Sequence, residues 1–253
     1  MEHKEFAEIY DIFMKHVDYD SWYNFLRSFI REKGTLLDLG CGTGEFSVRF
    51  LRDGFSVTGV DLSEKMLDIA EKKIADKKLE NCDFKLIKEN IIDFESTFKN
   101  GEICQVDNII CNFDTVNYLK NGSEFEKFLE KCSKNLKKDG FLIFDAVTED
   151  IFSEIFENDI FLDEEPEYTS IWRHEKLSQR KHLVEIDLFV RENSNDNLFR
   201  KYNDIQYKFI YDPKWIIKTA QKNGFEIFDT ASNPEFGESR IFFVLKKYKL
   251  GEK

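Results

Sequence analysis

The sequence predicts an α/β fold: a doubly wound, mostly parallel sheet carrying a small antiparallel β insert and an N-terminal helical cap. Three observations carry this. Apolar runs alternate with helix-periodic segments from Thr35 to Val147, the rhythm of a parallel sheet covered by helices. Glycines 40, 42 and 44 cluster at the first strand–helix junction. The block 168–211 breaks the rhythm with partial two-residue alternation, after which a helix and two strands follow.

The elements follow in order. Residues 5–14 read as a helix with Phe6, Ile9, Tyr10 and Phe13 on one face, and 20–30 as a second, capped by Asp20 or Ser21, with Trp22, Phe25, Leu26 and Phe29 as its stripe. Thr35–Leu39 is the first strand. The helix after the glycines runs to about Asp53, where Gly54 stops it. Ser56–Val60 is the second strand, and Ser63 opens a helix with Met66, Leu67 and Ala70 inward. Phe84–Ile87 and Val106–Cys111 read as strands, 123–136 as a helix, and Phe141–Val147 as the fifth strand. Thr148 is expected to cap a helix through Phe156, before an acidic loop at 157–167. Three antiparallel strands then cover 168–178, 181–191 and 198–211, with NSNDN as a turn. Asp212 and Pro213 restart a helix that Gly224 ends. Phe225–Thr230 and Arg240–Tyr248 complete the strands. The expected organisation is a cap over 1–32, a main domain over 33–165 and 212–253, and an insert over 166–211.

Composition bounds the function. The chain of 253 residues, 42% hydrophobic, buries a core without metal or disulfide support. Its 26 Phe and 3 Pro argue against a linker-like or disordered chain. The formal charge of −12, without a basic cluster interleaved with aromatics, disfavours nucleic acid as a partner. Cys41, Cys82, Cys104, Cys111 and Cys132 are odd in number and lack CxxC pairs, so they read as reduced thiols in a cytoplasmic protein with no metal site. His3, His16, His174 and His182 form no metal motif. The charged N-terminus is no signal peptide, and no apolar run reaches membrane-spanning length.

The sharpest motif is LLDLGCGTGEF, residues 36–46. Its glycines allow a tight turn and bring bare backbone to a ligand. Asp61, at the end of the next strand, suits a ribose diol. That role also occurs with nicotinamide cofactors, so Asp61 alone does not choose the cofactor. The loop lacks the GxGxxG order, and no GxxxxGK[ST] loop occurs. Asp38 is a poor neighbour for a phosphate and a good one for a cationic ligand.

LLDLGCGTGEF followed by VTGVDLSEKMLDIA resembles the class I S-adenosylmethionine-dependent methyltransferases, over roughly 35–147 with a looser return at 212–249. The resemblance implies a seven-stranded Rossmann-like sheet with a terminal antiparallel strand, and S-adenosylmethionine as cofactor, leaving as S-adenosylhomocysteine. It puts the methionine part against Gly40, Gly42 and Gly44, the ribose on Asp61, and the adenine beside Leu62, Met66, Asn90 and Ile91, with Asp38 and Cys41 also expected among the cofactor-binding residues. Asn90 stands where the family often has Asp, with Asp93 as the alternative register. VDNIICNFDTVNYLK resembles the region lining both sites in bacterial small-molecule methyltransferases, which adds Asn112 and Phe113 for the cofactor and Asp114 and Asn117 for the acceptor. The N-terminal helices and the insert also resemble those of a group of mostly uncharacterised bacterial methyltransferases.

Methyl transfer from a sulfonium needs alignment more than acid–base help. No general base stands out. Tyr10, Tyr19, Arg173 and Tyr207 are polar-ended candidates for orienting a substrate. The expectation is a small-molecule methyltransferase, a monomer or weak dimer with no nucleic-acid or membrane partner. An NAD-dependent oxidoreductase and a non-catalytic cofactor-binding module remain the alternatives.

Overall fold

A computed structural model describes residues 6–94, 105–156, 159–192, 198–232 and 238–248. The chain enters through a 3-10 turn at Phe6–Ile9, the short helix α1 (Tyr10–Phe13) and a second 3-10 turn at Met14–His16. Helix α2 (Tyr19–Phe29) leads to β1 (Thr35–Leu39), α3 (Glu45–Arg52), β2 (Ser56–Asp61), α4 (Glu64–Asp76), β3 (Phe84–Lys88) and β4 (Val106–Cys111). A 3-10 turn, Thr115–Tyr118, precedes α5 (Gly122–Asn135), β5 (Leu136–Val147) and α6 (Asp150–Ile155). Strands β6 (Ile160–Glu164), β7 (Tyr168–Lys176), β8 (Lys181–Arg191) and β9 (Phe199–Phe209) form the second sheet. Helix α7 (Pro213–Lys222), β10 (Phe225–Ser232) and β11 (Arg240–Lys247) return to the first.

The main sheet has seven strands in the order β10-β11-β5-β4-β1-β2-β3. The pairs β1–β2, β2–β3, β1–β4 and β4–β5 are parallel, while β11 runs antiparallel to both β5 and β10. The last strand is thus the antiparallel one. Strand order reverses between β1 and β4, and such a switch point opens a crevice at the carboxyl ends of the strands.

Strand alternation divides the core. Leu37, Leu39, Ile109, Phe144 and Phe243 pack on one face with Phe125 and Phe128 of α5 and Ile216 of α7. Leu36, Ile110, Ile143 and Phe242 pack on the other with Trp22, Leu26, Phe46 and Phe50. A smaller cluster joins Ile9 and Phe13 to Tyr168 and Leu188, seating the N-terminal segment on the insert.

Five local expectations are corrected. The helix expected over 5–14 is broken, because its side chains serve different neighbours: Phe13 packs on the insert, while Asp11 bonds Thr43 Oγ1 at 2.6 Å and Lys73 at 2.9 Å. Such contacts override helix propensity. Residues 1–5, including His3, and the side chain of Phe6 lie outside the described residues. Asp18, rather than Asp20 or Ser21, caps α2, accepting from Asp20 N at 3.2 Å and Ser21 N at 2.9 Å. Strand β5 begins at Leu136, five residues early. Thr148 caps nothing; Glu149 is the N-cap of α6, with no side-chain cap bond. The acidic loop of 157–167 holds strand β6, so the second sheet is four-stranded and begins at Ile160. Its alternation is hidden because Ile160 and Leu162 face outward at 53% and 58% exposure, while Asp163 lines a cavity inside.

The turn at 193–197 and Cys104 fall outside the described residues; the other four cysteines are free. No described helix is long and apolar enough to cross a membrane.

The start of α7 follows the sequence closely. Asp212 accepts from Trp215 N at 2.9 Å, and Pro213 fills the first turn. Asp212→Ala is expected to cost about 1 kcal/mol of stability, read from the midpoint of urea unfolding at unchanged slope.

Candidate functional site

Two cavities lie where the cap, the carboxyl ends of the strands and the insert meet. The first, about 290 Å³, runs from Leu62, Asn90 and Ile91 past the glycine loop and Asp61 to Asn112 and Phe113. The second, about 610 Å³, lies between the N-terminal segment, α6 and the insert. Tyr10, Phe113 and Tyr118 line both.

The three loop glycines have different reasons to be glycine. All have positive φ, at 69°, 53° and 79° for Gly40, Gly42 and Gly44. A Cβ on Gly40 would stand 2.5 Å from Thr115 Cγ2, and one on Gly44 2.9 Å from Ala70 Cβ. A Cβ on Gly42 would meet nothing within 4 Å and would enter the cavity. Gly40 and Gly44 are therefore packing positions, and Gly42 is the bare stretch of the cradle. Asp61 fixes that stretch: its carboxylate accepts from Gly42 N at 2.9 Å and Ser63 N at 2.8 Å.

Asp38 is fully buried beside this loop, accepting from Ser47 Oγ at 2.6 Å. Burial pushes its pKa up to about 7, with the nearby Asp61 charge acting in the same direction. A cationic ligand would relieve that penalty. Asn90 Oδ1 accepts from Ile92 N at 3.1 Å, closing a tight turn that brings Asn90 and Ile91 to the cavity. Asp93, the alternative register, pairs instead with Lys127 at 3.6 Å and is absent from the lining. The donor set suits a ligand with a diol at one end and a cation near the loop, as S-adenosylmethionine has.

All the expected cofactor residues line the first cavity except Gly44, which caps α3 behind it. Tyr10 and Tyr19 also line it. Burial raises both phenols, Tyr10 strongly. Asp114 lines the second cavity. The structure brings neither Asn117, Arg173 nor Tyr207 to either cavity. Asn117 is wholly buried: its Nδ2 donates to Val147 O at 3.2 Å and Phe209 O at 2.9 Å, and its Oδ1 accepts from Val147 N at 3.0 Å. Arg173 lies on the opposite face of β7 and pairs with Asp187 at 3.0 Å. Tyr207 stacks under Lys181, 4.3 Å from Nζ to ring centroid. His174 and His182 bond each other at 2.8 Å and stack on Phe152, in a structural cluster. Burial lowers His182 to about 4.

Asp114 proves to be the centre of a buried charge cluster. Phe113 and Asp114 have consecutive positive φ values, 57° and 47°, a costly backbone state for residues with side chains. Asp114 N donates to Asp145 Oδ2 at 2.7 Å. The Asp114 carboxylate accepts from Lys208 of β9 and from Arg240 of β11, which also pairs with Asp145. Burial alone would raise Asp114, but Lys208 and Arg240 hold it below the ordinary range. Lys208, Arg240 and Trp22 were not expected at the site. The available signal was alternation: Lys208 shares a strand face with Gln206 and Asp204, which is the inward face.

The comparisons agree with this geometry. A family model described as a methyltransferase domain matches residues 30–203. A candidate methyltransferase of Geobacillus sp. (strain WCH70) is 30% identical over 257 residues, covering 98% of this chain and 100% of that protein. The crystal structure of an S-adenosylmethionine-dependent methyltransferase from Clostridium acetobutylicum ATCC 824 superposes with a TM-score of 0.82 at 24% identity, covering 97% of this chain and 98% of that one. A dTDP-3-amino-3,4,6-trideoxy-alpha-D-glucopyranose N,N-dimethyltransferase of Streptomyces venezuelae is 27% identical over 143 residues, 54% of this chain and 55% of that protein.

Asp114→Asn keeps the shape and tolerates the left-handed backbone but removes the counter-ion of two buried cations. It is expected to cost about 3 kcal/mol or more at pH 7, by denaturant unfolding. Because the native carboxyl titrates below its unfolded value, this stabilisation is present at neutral pH and is lost as pH falls through the native pKa. The deficit of the variant therefore shrinks in acid.

Proposed function

The chain belongs to the methyltransferase domain family and is an S-adenosylmethionine-dependent enzyme of class I, and from that premise we propose that it methylates a small molecule held in the second cavity. The observation that carries the reading is the shared wall: Tyr10, Phe113 and Tyr118 border both cavities, so a cofactor in one and an acceptor in the other would meet there. A volume of about 610 Å³ suits a small molecule.

In this reading Gly42, Asp61 and the Asn90–Ile91 turn hold the cofactor, with Asp38 facing its cationic part. When bound, S-adenosylmethionine supplies an electrophilic methyl on sulfur, open to in-line displacement. The chain's own residues then align and desolvate the acceptor. Asp114, the carboxylate beside the shared wall, is a weak base because both oxygens already serve Lys208 and Arg240. A neutral amine attacks through its lone pair and sheds its proton afterwards, whereas a hydroxyl benefits from a base. A nitrogen acceptor therefore fits better, in keeping with the N,N-dimethyltransferase name of the Streptomyces venezuelae relative. Phe113, Trp172 and Phe161 offer the acceptor apolar walls.

Titration calorimetry is expected to detect S-adenosylmethionine and S-adenosylhomocysteine; no binding at millimolar ligand contradicts the reading. Asp61→Ala is expected to weaken both by roughly 1.5–3 kcal/mol through loss of charge-assisted ribose bonds. Asp38 adds a pH dependence. Its native pKa of about 7 lies above its unfolded value, so ionising it costs the ligand-free protein stability as pH rises. A cationic ligand favours the ionised form. Affinity should thus rise with pH up to about 7 and level off above it, with proton release on binding in the lower range. Asp38→Asn should abolish that slope. A panel of small amines and alcohols, assayed with labelled S-adenosylmethionine, tests the acceptor: turnover confined to alcohols contradicts the nitrogen assignment.

A further inference from the structure

Asn112 follows β4 and lines the first cavity, with β1 and β2 between it and the strand that Asn90 follows, and it is 4% exposed. Its Oδ1 accepts from the Trp22 indole Nε1 at 3.2 Å, and its backbone oxygen accepts from Thr115 Oγ1 at 2.7 Å. Its Nδ2 has no partner among the described residues. An indole N–H can only donate. Asn112 must therefore turn its oxygen to Trp22 and its NH₂ away. A buried donor without an acceptor is unfavourable, and the residue that carries this one lines a cavity.

We propose that Asn112 Nδ2 donates to the carboxylate of the cofactor's amino-acid end, and that Trp22 is the positioning residue that fixes the amide for it. The inference rests on the cofactor reading above. The strand order supports the polarity: Asp61 ends β2 and Asn90 follows β3, with β1 and its glycine loop between them and β4, which Asn112 follows. S-adenosylmethionine offers one acceptor-only anionic group, its carboxylate, and the ammonium beside it cannot accept. Trp22 is held firmly for its task. Its ring packs 4.3 Å from that of Phe113 and 5.2 Å from that of Phe242, and the Arg240 guanidinium lies 5.4 Å from it. Through Trp22, helix α2 would thus sense the cofactor's amino-acid end.

The test compares S-adenosylhomocysteine with 5′-methylthioadenosine, which keeps the adenosine and thioether but lacks the amino-acid group. By calorimetry, Asn112→Leu should weaken S-adenosylhomocysteine about tenfold or more, ~1.4 kcal/mol, and leave 5′-methylthioadenosine within about twofold, roughly 0.4 kcal/mol. Asn112→Asp, which offers an acceptor to an acceptor, should weaken S-adenosylhomocysteine further than Asn112→Leu. Trp22→Phe, which keeps a ring but removes the N–H, should show the same ligand selectivity and add nothing in the Asn112→Leu background. Equal weakening of both ligands, or an unchanged affinity for S-adenosylhomocysteine, overturns the proposal. If Trp22→Phe does not fold, the two Asn112 variants decide alone. Wild-type protein that binds neither ligand refutes the cofactor reading itself, an outcome distinct from loss of selectivity.

Discussion

The ion cluster around Asp114 is the constraint on which the rest of the site depends. It joins four parts of the chain: the loop after β4, β5 through Asp145, the insert through Lys208, and the last strand through Arg240. Burying these charges is unfavourable unless each is paired and bonded. That requirement locks the loop in a conformation its residues would not otherwise adopt, with Phe113 and Asp114 both left-handed. Phe113 is thereby presented to Trp22, Tyr19 and Phe46, at 4.3, 5.5 and 5.7 Å between ring centroids. The wall between the cavities is thus an electrostatic product as much as a hydrophobic one.

The N-terminal segment is tied to the same centre by different means. Asp11 reaches Thr43 in the glycine loop and Lys73 on α4, and Lys73 also pairs with Glu45 at 2.5 Å. Tyr23 donates to Asp53 at 2.7 Å. These bonds close the cap over the glycine loop, while Phe13 stacks on Trp172 of the insert at 5.4 Å. Cap, loop and insert therefore form a continuous enclosure around the two cavities, from segments far apart in sequence.

Much of this was legible in the residues. Strands β1 and β4 announced themselves as short apolar runs because both faces of the sheet are buried there, and Asp212–Pro213 marked its helix through local cap chemistry. That the glycine loop and Asp61 meet at one cavity was readable because both lie in one strand–helix–strand unit. What escaped depends on pairing at a distance. Lys208 and Arg240 lie 94 and 126 residues from Asp114, and Trp22 lies 90 from Asn112; no periodicity records such partners. Trp22 looked like one more apolar position on α2, since burial and a directed N–H leave the same helical signature. Strand β6 was missed because its acidic residues imitate a loop. Arg173 and Tyr207 lie away from both cavities because alternation places them on the outer face of the insert, and side-chain direction there turns on a register that the bare sequence leaves open.

The most direct test is a crystal structure of the complex with S-adenosylhomocysteine. The account predicts the adenine against Asn90 and Ile91, the ribose on Asp61, and the thioether sulfur facing the wall of Tyr10, Phe113 and Tyr118, towards the second cavity. A reversed ligand, or a sulfur directed away from that wall, would contradict it.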